Sequence, residues 1–105
     1  MPDLHSDIEV LCEQETSCGW LYTVRVTRDG AEPADCQLRL HWSDHDYWTG
    51  GRVAPSSLVE EIVRILLDTC GPAPLPASFD ASSARRWAPA LDRLLADRFG
   101  SASAR

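Results

Sequence analysis

From Asp7 onward apolar and polar positions alternate. Ile8, Val10 and Cys12 share one parity, while Asp7, Glu9 and Glu13 share the other, the period of a half-buried strand. Leu11 is the one residue in this run that breaks the pattern. A second run sets Cys18, Trp20, Tyr22, Val24 and Val26 against Leu21, Thr23, Arg25 and Thr27, and a third sets Cys36, Leu38, Leu40 and Trp42 against Gln37, Arg39 and His41. Arg28-Asp29-Gly30 with Glu32-Pro33 supplies turn chemistry between the second and third runs. Short connections favour antiparallel neighbours, so strands over about 7–13, 19–28 and 35–42 predict a three-stranded antiparallel meander with one buried face. Trp20 and Trp42 fall on the core parity and read as packing residues.

The period changes after Trp42. Ser43-Asp44-His45-Asp46 can cap a short helical turn carrying Tyr47 and Trp48 before Thr49-Gly50-Gly51 interrupts the chain. Pro55 suits a first helical turn, Ser57 and Glu60 have capping-box spacing, and a core helix is expected over about 55–69. Its stripe, Leu58, Ile62, Ile65, Leu66 and Thr69, is widened by Val59, Val63 and Leu67 until most of the circumference is apolar. Gly71-Pro72 stops this helix, and 73–76 reads as an extended connector anchored by Leu75. Asp80 as N-cap, with Pro89 as an interruption, predicts a helical pair over about 81–87 and 89–99. Its apolar stripe is Leu91, Leu94, Leu95 and Phe99.

These elements give an α+β fold with the helices on one face of the sheet. Its 105 residues form one domain, frayed at about 1–5 and 101–105. The core helix carries more apolar surface than one sheet face covers, so a monomer and a weak homodimer that pairs edge strands or shares that helix both remain open.

The stretch Tyr47-Trp48-Thr49-Gly50-Gly51-Arg52-Val53-Ala54-Pro55-Ser56-Ser57-Leu58-Val59, followed by Leu66-Leu67 and Phe79-Asp80, resembles a family of small bacterial proteins. In that family a sheet-forming first half leads through a Thr-Gly-Gly-Arg turn into a core helix. The resemblance covers the second half of the chain. Trp48 and Ala54 depart from the aliphatic and the capping hydroxyl residue expected there. The resemblance implies an architecture and brings no established activity.

Charge narrows the partners. Residues 1–80 carry a balance of −9 and residues 81–105 one of +3, making the net −6. A net acidic domain repels phosphate backbones, so nucleic acid is not expected as the main partner. All ten basic residues are arginine, which suggests a GC-rich bacterial genome. No run approaches the ~18–20 apolar residues of a membrane span. The first residues, Met1 to Asp7, lack the charged and apolar regions of a secretory signal, which predicts a cytoplasmic protein.

Candidate chemistry is sparse. The four cysteines, Cys12, Cys18, Cys36 and Cys70, form no Cys-x-x-Cys knuckle, and all but Cys70 fall on core parity as buried thiols. A cross-strand Cys12–Cys18 disulfide is the alternative. His41, Asp44, His45 and Asp46 are metal-ligand types gathered within six positions, which makes a metal-binding protein or metalloenzyme the alternative function. Gly50-Gly51-Arg52 before a helix is either an anion cradle or a tight turn with Arg52 bonded to a nearby carboxylate or carbonyl. No catalytic triad and no cofactor motif is recognisable. The expectation is therefore a non-catalytic protein-interaction module without cofactor. Its contact residues are Tyr47, Trp48 and Arg52 at the sheet–helix junction, with Arg25 and Arg39 on the polar sheet face beside them.

Overall fold

The alternating runs become strands, with one shift of parity. The computed structural model describes residues 6–28, 30, 32–70 and 75–99. Strands β1 (Ser6–Glu15), β2 (Gly19–Arg28) and β3 (Ala34–His41) form the antiparallel meander that the periodicity predicts. Tyr22, Val24, Val26, Cys36, Leu38 and Leu40 are all buried, so β2 and β3 direct one parity into the core.

On β1 the pairing runs regularly from Ser6 opposite Arg28 to Val10 opposite Val24, then resumes with Cys12 opposite Thr23. Leu11 has no partner and forms a β-bulge. The extra residue reverses which parity faces the core. Ile8 and Val10 lie with Val26 and Val24 on the core side, whereas Cys12 joins Thr23 on the outer side and Glu13 lies opposite Tyr22. Cys12 is accordingly exposed, which corrects its expected burial.

The sheet has a fourth strand that the sequence pattern does not show. β4 (Ser78–Asp80) pairs in parallel with β3, Leu38 opposite Phe79 and Arg39 opposite Asp80, so the order is β1-β2-β3-β4. Asp80 belongs to this strand and bonds Arg39, rather than capping a helix with its side chain. The segment that follows, Ala81–Arg86, is a 3-10 helix and not an α-helix. Its Ala81 and Ala84 are buried against the sheet end, where a tight helix with small side chains can approach closely.

Helix α1 (Trp42–Thr49) starts directly from the last residue of β3. Trp42 is thereby taken off the sheet parity and left 48% exposed, so of the two tryptophans assigned to the core only Trp20 packs against it. Helix α2 (Pro55–Cys70) is the core helix. Leu58, Val59, Ile62, Val63, Ile65, Leu66 and Leu67 are all buried, as the broad stripe predicts, while Thr69 is exposed. The backbone carbonyl of Ala54 accepts from the N–H groups of Ser57 and Leu58, so Ser57 sits inside the first turn and does not cap it.

Helix α3 (Leu91–Phe99) buries Leu91 and Leu95 and packs Leu94 and Phe99 at the core margin. It is tied to α2 by Arg98, whose Nε lies 3.3 Å from Glu61 Oε1. Leu75 packs against the core as expected. The expected Gly71-Pro72 stop, Asp29 of the turn and the frayed ends lie outside the described residues, as does the Cys70 side chain. No described helix is long and apolar enough to cross a membrane.

Candidate functional site

The junction between sheet and core helix is built around Trp48. Its side chain is 2% exposed, and its indole Nε1–H donates to Asp92 Oδ1 of α3 at 2.6 Å. Arg85 completes the arrangement. Its guanidinium lies 4.9 Å from the Trp48 ring centroid and 5.8 Å from that of Tyr47, while its Nε–H donates to the Asp92 carboxylate at 3.0 and 3.2 Å. A carboxylate thus neutralises a cation that also rests on two aromatic rings, binding α1 to the C-terminal helices. Trp48 is an internal anchor. Tyr47, 54% exposed, presents the neighbouring ring to solvent.

The Thr-Gly-Gly turn is satisfied from within. Gly50 takes a left-handed backbone (φ 66) and its N–H donates to the Asp46 carbonyl at 2.7 Å, closing the helix. The buried Thr49 hydroxyl donates to the His45 carbonyl at 2.8 Å and accepts the Gly51 N–H at 3.1 Å. The Arg52 N–H goes to the Thr49 carbonyl at 3.3 Å. The amides that an anion cradle would need are therefore already engaged, and the turn reading holds. The Arg52 side chain is exposed, and no ion pair or hydrogen bond ties it to another described residue, contrary to the bonded guanidinium expected of it.

The four metal-ligand candidates diverge. His41 Nδ1 lies 3.3 Å from Cys18 Sγ on the exposed end of β3. His45 turns the other way, its Nε2–H donating to the Val53 carbonyl at 2.6 Å while its ring meets Trp20 edge-on at 5.3 Å. Asp44 occupies the first turn of α1, where a carboxylate complements the helix dipole. Among the described residues no group of three or more His, Cys, Asp or Glu side chains is gathered closely enough to hold a metal ion.

The arginines of the outer sheet face are paired across the strands. Arg25 Nε–H donates to Asp35 Oδ1 at 2.8 Å and its Nη2–H to Oδ2 at 3.2 Å, between residues directly opposite in the β2–β3 register. Hydrogen bonding to Arg25 draws the Asp35 carboxyl below its ordinary range, and the same bond raises the Arg25 guanidinium. Arg39 Nη1–H donates to Asp80 Oδ1 at 2.7 Å, again between register partners.

The three cysteines whose side chains are described differ in environment. Cys12 and Cys18 are both exposed free thiols, which sets aside the disulfide alternative as well as the burial of Cys18. Cys12 is level with Thr23 and Cys18 precedes Gly19, a separation of about 13 Å at the rise of a strand, too far to bridge. Cys36 is buried as expected, and burial pushes its thiol up from its ordinary value. The roles of Asp92 and Arg85 escaped the sequence reading. The only available sign of them was the acidic first turn of a helix that follows a basic segment.

Compared with known proteins, the chain matches no family model, no curated protein and no solved structure.

Proposed function

We propose that this is a non-catalytic cytoplasmic interaction module that meets a protein partner through α1 and the turn after it. Trp42, Tyr47 and Arg52 are the contact residues, and the outer sheet face with Arg25, Arg39 and His41 lies beside them. The observation that carries the reading is the pairing of exposure with anchorage on one short helix. Trp42 and Tyr47 leave about half of their surfaces in water, at 48% and 54%, while Trp48 between α1 and α3 fixes the helix that presents them. Large aromatic residues and arginine contribute most where interfaces are strong, and a preordered helix lowers the entropy cost of using them. Paired Arg25 and Arg39 suit the rim of such a contact, because each is already neutralised by its strand neighbour.

The test is affinity capture from the source cell, comparing wild type with a Trp42→Ala, Tyr47→Ala, Arg52→Ala variant whose fold has been checked by circular dichroism. Loss of one specific protein from the captured set is the expected result, and an unchanged set overturns the reading. Trp48→Ala is unsuitable as a probe because it removes a buried anchor. Salt-sensitive capture of DNA or RNA that is lost on neutralising the exposed Arg86 and Arg93, with Arg85 left in its anchor, would replace the protein partner with a nucleic acid.

A further inference from the structure

The turn joining β1 to β2 brings a nucleophile and a base together. Cys18 Sγ and His41 Nδ1 are 3.3 Å apart, although twenty-three positions separate them in the chain. The backbone on both sides fixes that distance. Gly19 is paired with His41 in the β2–β3 register, the Trp42 N–H donates to the Cys18 carbonyl at 2.9 Å, and the Thr16 N–H donates to the Gly19 carbonyl at 2.9 Å. The Cys18 N–H is held by Thr16 Oγ1 at 3.3 Å. The thiol is exposed and open to small reagents.

We propose that the Cys18–His41 pair is a covalent modification site, at which Cys18 takes up low-molecular-weight disulfides as mixed disulfides with His41 as general base. With the imidazole proton on Nε2, Nδ1 is the acceptor that faces the thiol. In the reaction the Cys18 Sγ–H proton passes to Nδ1 as Sγ attacks one sulfur of the reagent disulfide. The new Sγ–S bond forms while the reagent's S–S bond breaks, and the departing thiolate takes the proton back from the imidazolium. Cys18 is oxidised to the mixed disulfide and one half of the reagent is reduced to a thiol, so no other oxidant enters.

Two other thiols, Cys12 and Cys36, serve as internal controls. Cys12 is exposed on the outer face of β1, and no hydrogen bond joins its thiol to another described residue. Cys36 is buried in the core. Cys12 also lies too far along the sheet to resolve a mixed disulfide at Cys18. The site borders Trp42, yet nothing in its chemistry depends on Trp42 meeting a partner.

The full-length reduced protein should be treated with the uncharged reagent 2-hydroxyethyl disulfide near neutral pH, and each cysteine followed by peptide mass mapping over time. Cys18 is expected to react roughly tenfold faster than Cys12, a modest share of what a positioned general base can contribute, while Cys36 stays unreacted. His41→Gln should lower the Cys18 rate to that of Cys12 and leave the Cys12 rate unchanged. Equal Cys18 and Cys12 rates in the wild type, or an unchanged Cys18 rate in His41→Gln, would overturn the proposal. Protection of Cys36 reports in the same experiment that the variant has folded. If His41→Gln fails that check, the wild-type ratio and the His41→Asn variant decide.

Discussion

Trp48 and Asp92 are joined by a 2.6 Å hydrogen bond across forty-four positions of sequence, the indole donating and the carboxylate accepting. The same carboxylate also accepts from Arg85, so removing either partner leaves a different debt. Trp48→Phe keeps most of the ring in the core and loses the N–H, and is expected to cost about 1–2 kcal/mol in urea unfolding. Trp48→Ala, which opens a cavity between α1 and α3, should cost about 3–5 kcal/mol. In Asp92→Ala the indole N–H is left without its acceptor and the Arg85 guanidinium without its counter-ion. In a double-mutant cycle, Trp48→Phe combined with Asp92→Ala should cost less than the sum of the two single losses, and additivity would show the bond to be energetically idle.

Leu11 presents the opposite case, a residue whose removal should be tolerated. Deleting it joins Val10 directly to Cys12, and their partners Val24 and Thr23 are already consecutive, so the ladder closes without changing the face of any later side chain. The expected outcome is an intact fold, stability within about 1 kcal/mol of wild type, and a Cys12 that remains exposed to thiol reagents. A flatter β1 is a better template for edge pairing, while the acids Asp7, Glu9, Glu13 and Glu15 along it oppose the approach of a second copy. Sedimentation at low and high salt separates the two effects, since only the charge contribution is screened. Loss of the folded circular dichroism spectrum would show that the bulge is required for closure of the sheet.

The bulge also marks where sequence pattern stops predicting structure. The β2 alternation and the broad α2 stripe each extend over enough residues to reveal a period, and both elements form where that period places them. Leu11 was visible as a break in the β1 alternation, but a break alone does not reveal that every later residue changes face. Ser78-Phe79-Asp80 is too short to display any period, so β4 was not legible, although Phe79 flanked by two polar residues fits a strand once β3 lies beside it. Trp42 and Trp48 depart from the sequence expectation for one reason. The chain passes from strand to helix at Trp42, and the change of period moves Trp42 out to solvent and rotates Trp48 inward. Which of two adjacent aromatics is the anchor depends on Asp92 and Arg85, partners that local pattern cannot bring together.

Gly19 is placed where β3 leaves no room for a side chain on β2. A Cβ on this residue would lie 2.0 Å from the Leu40 carbonyl oxygen and 2.8 Å from His41 Cα, both of them backbone atoms that cannot turn aside. Gly19→Ala must therefore part the strands at this end of the sheet, at a cost of about 3 kcal/mol or more. Because Cys18 and His41 flank the same point, the substitution should also separate thiol from imidazole. The expected signature is a lower denaturation midpoint together with loss of the rate advantage of Cys18 over Cys12. Wild-type stability in Gly19→Ala would mean that the two strands have room to part without loss.

Tyr22 ties stability to alkaline pH. Its ring is fully buried, and its hydroxyl donates to Glu13 Oε1 at 2.9 Å. Burial first, and the Glu13 hydrogen bond and charge second, push the phenol well above its ordinary value near 10. The protonated phenol is the form that the fold favours, so its contribution to stability is fully present below the unfolded value near 10 and is lost as pH rises from there toward the folded value. Urea midpoints should begin to fall as the thiol of Cys36 ionises in the unfolded chain near its ordinary value of about 8.5, and fall further as tyrosine in the unfolded chain ionises near 10. Tyr22→Phe removes both the hydrogen bond and the ionisable group. It should cost about 0.5–1.5 kcal/mol at neutral pH, because Glu13 is exposed and water can replace the lost donor. Above pH ~10 the variant should show a shallower decline than wild type, so that the two stability curves converge as the pH rises. Parallel curves over this range would show that Tyr22 does not supply the alkaline dependence and that its hydroxyl is less enclosed than the packing around it requires.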